Sequence, residues 1–272
     1  MKRIFIVGVS RSGTTLAQSM IGNHPDIITF PESHLLSATV SPYKFRRVFH
    51  KVSSYKKNKV VNFFKRMNKP SLYKEYTGSK YNLDNWVKYL ITILDDLAGR
   101  ENKKIWLEKT PRHLYFSDII EKNFTNCYFI HIIREPISNI ASLYSASLKY
   151  PHAFKQNTAE KAFRRYVKDI SISNQSVKKD NHFVLYYDAL VANPEEELKN
   201  LCKKLNLNFH ENMLSFSDSA KELQHSKEFW KLGNTKQIQK INKVQHRLNQ
   251  SQIDWLNKKI AKLDYSILNY FK

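Results

Sequence analysis

Residues 8–15 read Gly-Val-Ser-Arg-Ser-Gly-Thr-Thr. An apolar, β-branched run at residues 4–9 precedes this turn, and Leu16, Met20 and Ile21 follow it at helical spacing. Strand, glycine turn and helix in that order aim backbone N–H groups and a helix N-terminus at one anion. A nucleotide triphosphatase loop of the form G-x-x-x-x-G-K-[ST] carries a lysine after its second glycine, where this chain has Thr14. That lysine reaches β- and γ-phosphates, so its absence argues against ATP or GTP hydrolysis. Arg11 supplies a guanidinium suited to bidentate phosphate contact, and Ser12, Thr14 and Thr15 add hydroxyls around Gly13. The plainer alternative is a glycine turn that binds nothing.

Three further groups lie where strands should end. A short second strand at residues 27–30 leads into Pro31 and Glu32, at the edge where open α/β sheets place ligands. On residue type alone Glu32 reads as a solvated loop carboxylate; its position makes it a candidate general base. Ile105-Trp106-Leu107 leads into Glu108-Lys109-Thr110-Pro111-Arg112-His113, a basic turn that keeps Lys109 in view. The clearest buried strand, Cys127–Ile133, ends on Arg134-Glu135-Pro136, with the proline opening a helix that bears Ser142. Arginine by charge and serine by hydroxyl would make a second phosphate clamp. The alternative is an arginine paired with a carboxylate and a core-facing serine.

These groups need a scaffold of alternating strands and helices. The 272 residues suffice to bury a core, and the strand–helix alternation argues for one continuous α/β domain with insertions. Residues 42–69 place Phe45, Val48, Phe49 and Val52, then Val60, Phe63, Phe64 and Met67, at helical spacing among many lysines and arginines. This basic insert reads first as a helical cap packed on the core, and alternatively as a membrane-surface or acidic-acceptor contact. Asp84 is placed to cap a helix carrying Trp86, Leu90, Ile93 and Leu97. Residues 159–177 read as helix, 182–187 as strand, and Asn193 as the cap of an acidic helix start. Residues 206–235 read as mostly loop, with helix beyond. Cys127 and Cys202 lack motif spacing and read as buried free thiols. No apolar stretch approaches the ~18 residues of a membrane span, so the chain reads as cytoplasmic. Forty-five Lys and Arg against 24 Asp and Glu, formally +21, suit an anionic cofactor, acidic glycan, anionic lipid or nucleic acid alike.

Ser10-Arg11-Ser12-Gly13-Thr14-Thr15-Leu16 with His24-Pro25-Asp26, then Glu108-Lys109-Thr110-Pro111, then Ile133-Arg134-Glu135-Pro136 with Ser142, resembles the sulfotransferases that depend on 3′-phosphoadenosine 5′-phosphosulfate (PAPS). The likeness is to bacterial carbohydrate-type members and to tyrosylprotein sulfotransferases, and runs from about residue 3 to 205. It implies a P-loop-like three-layer α/β fold with a central, mostly parallel sheet. A single domain would span residues 1–272, with the helical insert at about 42–100 and a C-terminal helical segment at about 236–272. It further implies that Arg11, Ser12, Gly13, Thr14 and Thr15 cradle the 5′-phosphosulfate, and that Arg134 and Ser142 hold the 3′-phosphate. Glu32 falls at the place of the catalytic base and Lys109 at that of the transition-state lysine. Tyr187 (or Tyr186) and Lys243 are further cofactor contacts it implies. Tyrosylprotein members carry a second carboxylate beside the base, where this chain has Pro31, which weighs against a protein-tyrosine acceptor.

The implied reaction is sulfuryl transfer from PAPS to a glycan or glycolipid hydroxyl, releasing adenosine 3′,5′-bisphosphate, with no metal required. The runner-up is the same chemistry on a protein tyrosine or small phenol. A P-loop kinase and a nucleic-acid-binding protein are the distant alternatives, and no nucleic-acid motif is present. Peripheral contact with the inner membrane face through the basic insert completes the expected partners.

Overall fold

The computed structural model describes residues 1–49, 54–76, 82–215 and 247–271. A five-stranded, wholly parallel sheet organises them, with β1 (Lys2–Gly8), β2 (Ile27–Phe30), β3 (Ile105–Lys109), β4 (Cys127–Ile133) and β5 (His182–Tyr186) in the spatial order β2-β3-β1-β4-β5. The α/β fold expected from the strand–helix alternation is therefore present. Ile4, Phe5, Ile6 and Val7 are all fully buried, as a central parallel strand covered on both faces requires. Register aligns the chemistry. Ile6 pairs with Lys109 on one side and Ile130 on the other, Gly8 pairs with Ile132, and Phe30 pairs with Glu108. The segments that leave β1, β2, β3 and β4 thus share one edge of the sheet.

Helices cover both faces. On one side Phe5, Trp106 and Phe129 pack under α3 (Ser54–Arg66) and α4 (Leu83–Arg100), through Val60, Phe63, Phe64, Trp86 and Leu90. On the other, Ile4, Ile6 and Ile130 meet α1 (Thr14–Gly22), through Met20 and Ile21. The α4 cap is Asn82, which accepts from the Asn85 N–H at 2.9 Å, and not Asp84, one residue inside the first turn. Asn193 makes no side-chain cap. Cys127 and Cys202 are buried free thiols, and burial pushes the Cys127 thiol up to about 12. Among the described residues no helix is long and apolar enough to cross a membrane.

The insert divides in two. Its α3 half buries Val60, Phe63 and Phe64, as a packed cap would. The preceding 3-10 turn Lys44–Phe49 is inverted: Phe45, Val48 and Phe49 are 68%, 83% and 80% exposed, while Arg47 is buried. Arg47 is held there by Asp118 and by the carbonyls of Ser41 and Tyr115, so the turn follows its arginine and leaves its apolar side chains outside.

A polar row runs between β4 and β5. His131 Nδ1 lies 3.0 Å from Ser173 Oγ, its Nε2 lies 2.8 Å from His182 Nδ1, and His182 Nε2 lies 3.0 Å from Glu121. Burial, then the His182 charge, pull His131 down to about 3. The unfolded chain takes up a proton near pH 6.5 that the folded chain accepts only near 3. Stability therefore falls as pH drops through that window. Chemical denaturation between pH 7 and 4 should show this loss, and His131→Asn should flatten it.

Candidate active site

The turn after β1 is shaped by backbone geometry. Gly8 (φ +132°), Arg11 (φ +72°) and Gly13 (φ +95°) all take positive φ, which curls the chain before α1 begins at Thr14. A Cβ on Gly8 would lie 2.8 Å from the Ile132 carbonyl oxygen, and one on Gly13 would fall 2.1 Å from the Tyr187 ring. Glycine at 13 lets that ring lie against the turn. Ser12 is buried and donates its hydroxyl to the Val9 carbonyl at 2.8 Å, closing the turn from inside. No side chain caps the start of α1, so its first N–H groups have no side-chain acceptor. Thr14 is buried at that start, and Thr15 sits half-exposed beside it.

Lys109 ends β3 only 1% exposed and donates to Glu32, and to Thr15 Oγ1 at 3.4 Å. The second Glu32 oxygen lies 3.1 Å from His34 Nε2. Glu32 is a nearly buried carboxylate joined to a lysine, and the reading of a solvated loop acid gives way. Beneath this pair lies fully buried Glu108. It accepts from the Ser33 N–H (3.0 Å), the Ser33 hydroxyl (2.8 Å) and the Thr110 hydroxyl (2.5 Å), and faces His113 Nδ1 at 2.8 Å. Burial alone raises its pKa, but the His113 charge and the hydrogen bonds from His113, Thr110 and Ser33 outweigh it and hold it at about 2. Glu108 thus fastens the segment carrying Glu32 to the end of the strand carrying Lys109. Sequence reasoning quoted Glu108 and assigned it no task. Its signal is a carboxylate directly after the apolar run Ile105-Trp106-Leu107; β3 extends through it to Lys109, and a carboxylate so buried persists only with donors around it.

Arginines gather on the other side of the turn. Arg134 follows β4, with its guanidinium 4.8 Å from the centre of the Tyr187 ring. The Nε atoms of Arg11 and Arg134 are buried without a hydrogen-bond partner. Burial, then the charges of Arg247 and Arg134, push Arg11 below its ordinary value; burial, then Arg134, do the same to Arg247. Arginine stays charged in proteins, so these directions mark a concentration of positive charge that an anion would relieve. Glu32 offsets part of this on Arg11, and the acids beside Arg134 are engaged elsewhere. Glu135 caps α6 (Pro136–Lys149) through the Ile137 and Ser138 N–H groups, and Asp188 accepts from the Glu135 N–H. Ser142 is buried on α6. An arginine capping a carboxylate does not describe Arg134 among the described residues.

Of the two tyrosines, Tyr187 opens α8 (Tyr187–Ala192) and faces the turn. Tyr186 ends β5, donates to the Ile267 carbonyl at 3.0 Å and stacks on Tyr270, so it braces the C-terminal segment. Lys243 lies outside the described residues. Arg247 was not singled out from the sequence, where it is one basic residue among many.

The sequence model of the Sulfotransferase family matches residues 3–211. The chain belongs to the sulfotransferase family. Among curated relatives, the Drosophila melanogaster protein-tyrosine sulfotransferase is 23% identical over 79% of the chain and 40% of its own length. The chain spans less than half the length of the first curated relatives it matches. Among solved structures, the sulfotransferase domain of the curacin biosynthetic pathway superposes with a TM-score of 0.66 at 18% identity, covering 96% of this chain and 97% of that one. The mouse sulfotransferase SULT7A1, complexed with PAP, gives 0.52 at 11% identity, over 97% and 86%. These two likenesses are of fold.

The ionic set around Glu108 carries a measurable prediction. Glu108→Ala leaves the Ser33, Thr110 and His113 donors buried without an acceptor, and should cost about 3–5 kcal/mol of stability in urea unfolding. Glu108→Gln, which keeps an acceptor oxygen, should cost less.

Proposed function

We propose that this protein transfers a sulfuryl group from PAPS to a hydroxyl of a glycan or glycolipid, releasing adenosine 3′,5′-bisphosphate. The observation that carries the reading is the gathering of Arg11, Arg134 and Arg247, two of them with buried unpartnered Nε atoms, beside the Lys109–Glu32 pair. Such a cradle suits a ligand with more than one anionic group, and the PAP-bound mouse relative of like fold supports this nucleotide. Family membership and the buried Lys109–Glu32 pair make it an enzyme rather than a binding module.

Roles follow position. The N–H groups of the turn at Gly13 and of the start of α1, with Arg11, Thr14 and Thr15, bind the 5′-phosphosulfate, while Ser12 keeps the turn closed. Arg134, Ser142 and Arg247 take the 3′-phosphate, and Tyr187 holds the Arg134 guanidinium on its face. Lys243 is a further basic residue in this proposal. PAPS supplies the sulfuryl group, which moves by in-line displacement. The acceptor oxygen forms the new S–O bond as the bond to the bridging phosphate oxygen breaks. Glu32 accepts the hydroxyl proton, and Lys109 with the turn donors neutralises charge growing on the departing oxygen. In the resting site Lys109 is paired with Glu32 in a nearly dry setting. Glu108 positions both. The protein would work in the cytoplasm, at the inner membrane face when its acceptor resides there. A protein-tyrosine or phenol acceptor is the second reading, favoured by the name of the Drosophila relative and weakened by Pro31.

Calorimetry is the direct test of the cradle. Adenosine 3′,5′-bisphosphate should bind at least about tenfold tighter than AMP, and equal affinity would sink the assignment. In steady-state assays with labelled PAPS and a panel of glycans, glycolipids and peptides, Arg134→Ala should raise the PAPS KM by about tenfold or more. Glu32→Gln and Lys109→Ala should instead lower kcat by about a hundredfold, and an unchanged kcat for Glu32→Gln would remove it as the base.

A further inference from the structure

We propose that the 3-10 turn Lys44–Phe49 is a membrane anchor that seats the mouth of the active site on an anionic lipid surface. Soluble packing places apolar side chains inside and charged ones outside; this turn puts its apolar side chains outside and Arg47 inside. Phe45, Val48 and Phe49 stand in solvent with Tyr43 beside them, while Arg47 is buried on Asp118 and two backbone carbonyls. Holding the turn by its arginine fixes the apolar side chains outward. Cations lie level with the aromatic rings: the Arg46 guanidinium is 5.3 Å from the Tyr43 ring centre and 5.5 Å from that of Phe45, and Lys168 Nζ is 5.2 Å from Tyr43. Apolar tips beyond a collar of Lys and Arg is the layering of a lipid–water interface, with tips among the acyl chains and cations among the phosphates.

Charge selects this occupant. The carboxylate that meets the turn, Asp118, is already matched by Arg47 and by Lys44 at 3.3 Å. The rim formed by Lys44, Arg46 and Lys168 is thus cationic and complementary to anionic headgroups. A second copy docking through the same face would oppose like charges. The turn is also joined to the chemistry. Arg47 donates to the Tyr115 carbonyl, in the 3-10 turn Pro111–Phe116 that follows Lys109 and Thr110. From the neighbouring α3, Arg66 donates to the Ser33 carbonyl beside Glu32 at 2.9 Å. A chain anchored here would receive hydroxyls carried by membrane-resident glycolipids; this acceptor half rests on the sulfuryl-transfer reading, and the docking half stands without it.

The test is cosedimentation of the full chain with vesicles of phosphatidylcholine alone or mixed with phosphatidylglycerol. The chain should bind the anionic vesicles, bind them less at high salt, and leave the neutral ones. The triple variant Phe45→Ser/Val48→Ser/Phe49→Ser should lose about tenfold or more in partitioning, with unchanged melting and bisphosphate affinity. Wild type that ignores anionic vesicles overturns the proposal. So does a triple variant that partitions equally, which would assign binding to basic surface elsewhere. A wild-type dimer broken by the same variant in analytical ultracentrifugation would give the face to a second copy, and overturns it too. Vesicle binding that fails while bisphosphate still binds leaves the enzymatic reading intact; bisphosphate binding that fails while vesicles still bind does the opposite.

Discussion

Like charges held close together set the terms for this molecule. Arg11, Arg134 and Arg247 come from three separate parts of the chain; burial and their mutual repulsion outweigh the pull of the Glu32 carboxylate on Arg11, and the Nε atoms of Arg11 and Arg134 are buried without a hydrogen-bond partner. Such a gathering raises the free energy of the empty fold, so something stronger must hold the backbone that carries it. That backing is the parallel sheet. Gly8 is paired with Ile132, and the buried strands on either side leave the turn and Arg134 little freedom to move apart. The destabilisation is stored as affinity for an anion, available without rearrangement when one arrives.

The second ionic set works by the opposite rule. Lys109 and Glu32 compensate one another, with His34 against the second Glu32 oxygen, and Glu108 is satisfied by its donors beneath them. One half of the site is therefore electrically unbalanced and the other balanced. The unbalanced half would draw an anion, while the balanced half holds a carboxylate and an ammonium at fixed positions. Thr15 joins the two, since it lies in the first turn of α1 next to Gly13 and accepts from Lys109.

Much of this was legible from residue order. The apolar runs of β1 and β4 and the glycine turn mark the sheet centre because their periodicity and backbone demands are local properties. Arg11, Glu32, Lys109 and Arg134 all fall at strand ends, and a parallel sheet brings such ends together whatever the loops do. What escaped has non-local causes. The boundary between Tyr186 and Tyr187 decides which ring faces the turn, and strand ends are set by pairing partners that a single sequence does not display. The task of Glu108 depends on Ser33, a distant residue folded over it. The Lys44–Phe49 turn has helical spacing that looks amphipathic, but Asp118 captures Arg47 and turns the pattern inside out.

The Tyr187 ring has one further consequence. It lies against Gly13 and under the Arg134 guanidinium, so one rigid aromatic plate sets the distance between the glycine turn and the arginine that follows β4. A plate of fixed thickness behaves as a caliper. On the proposed reading, ligands would be sorted by the span between their anionic ends rather than by total charge. A nucleotide with equal charge but its phosphates at another spacing would satisfy one jaw and miss the other.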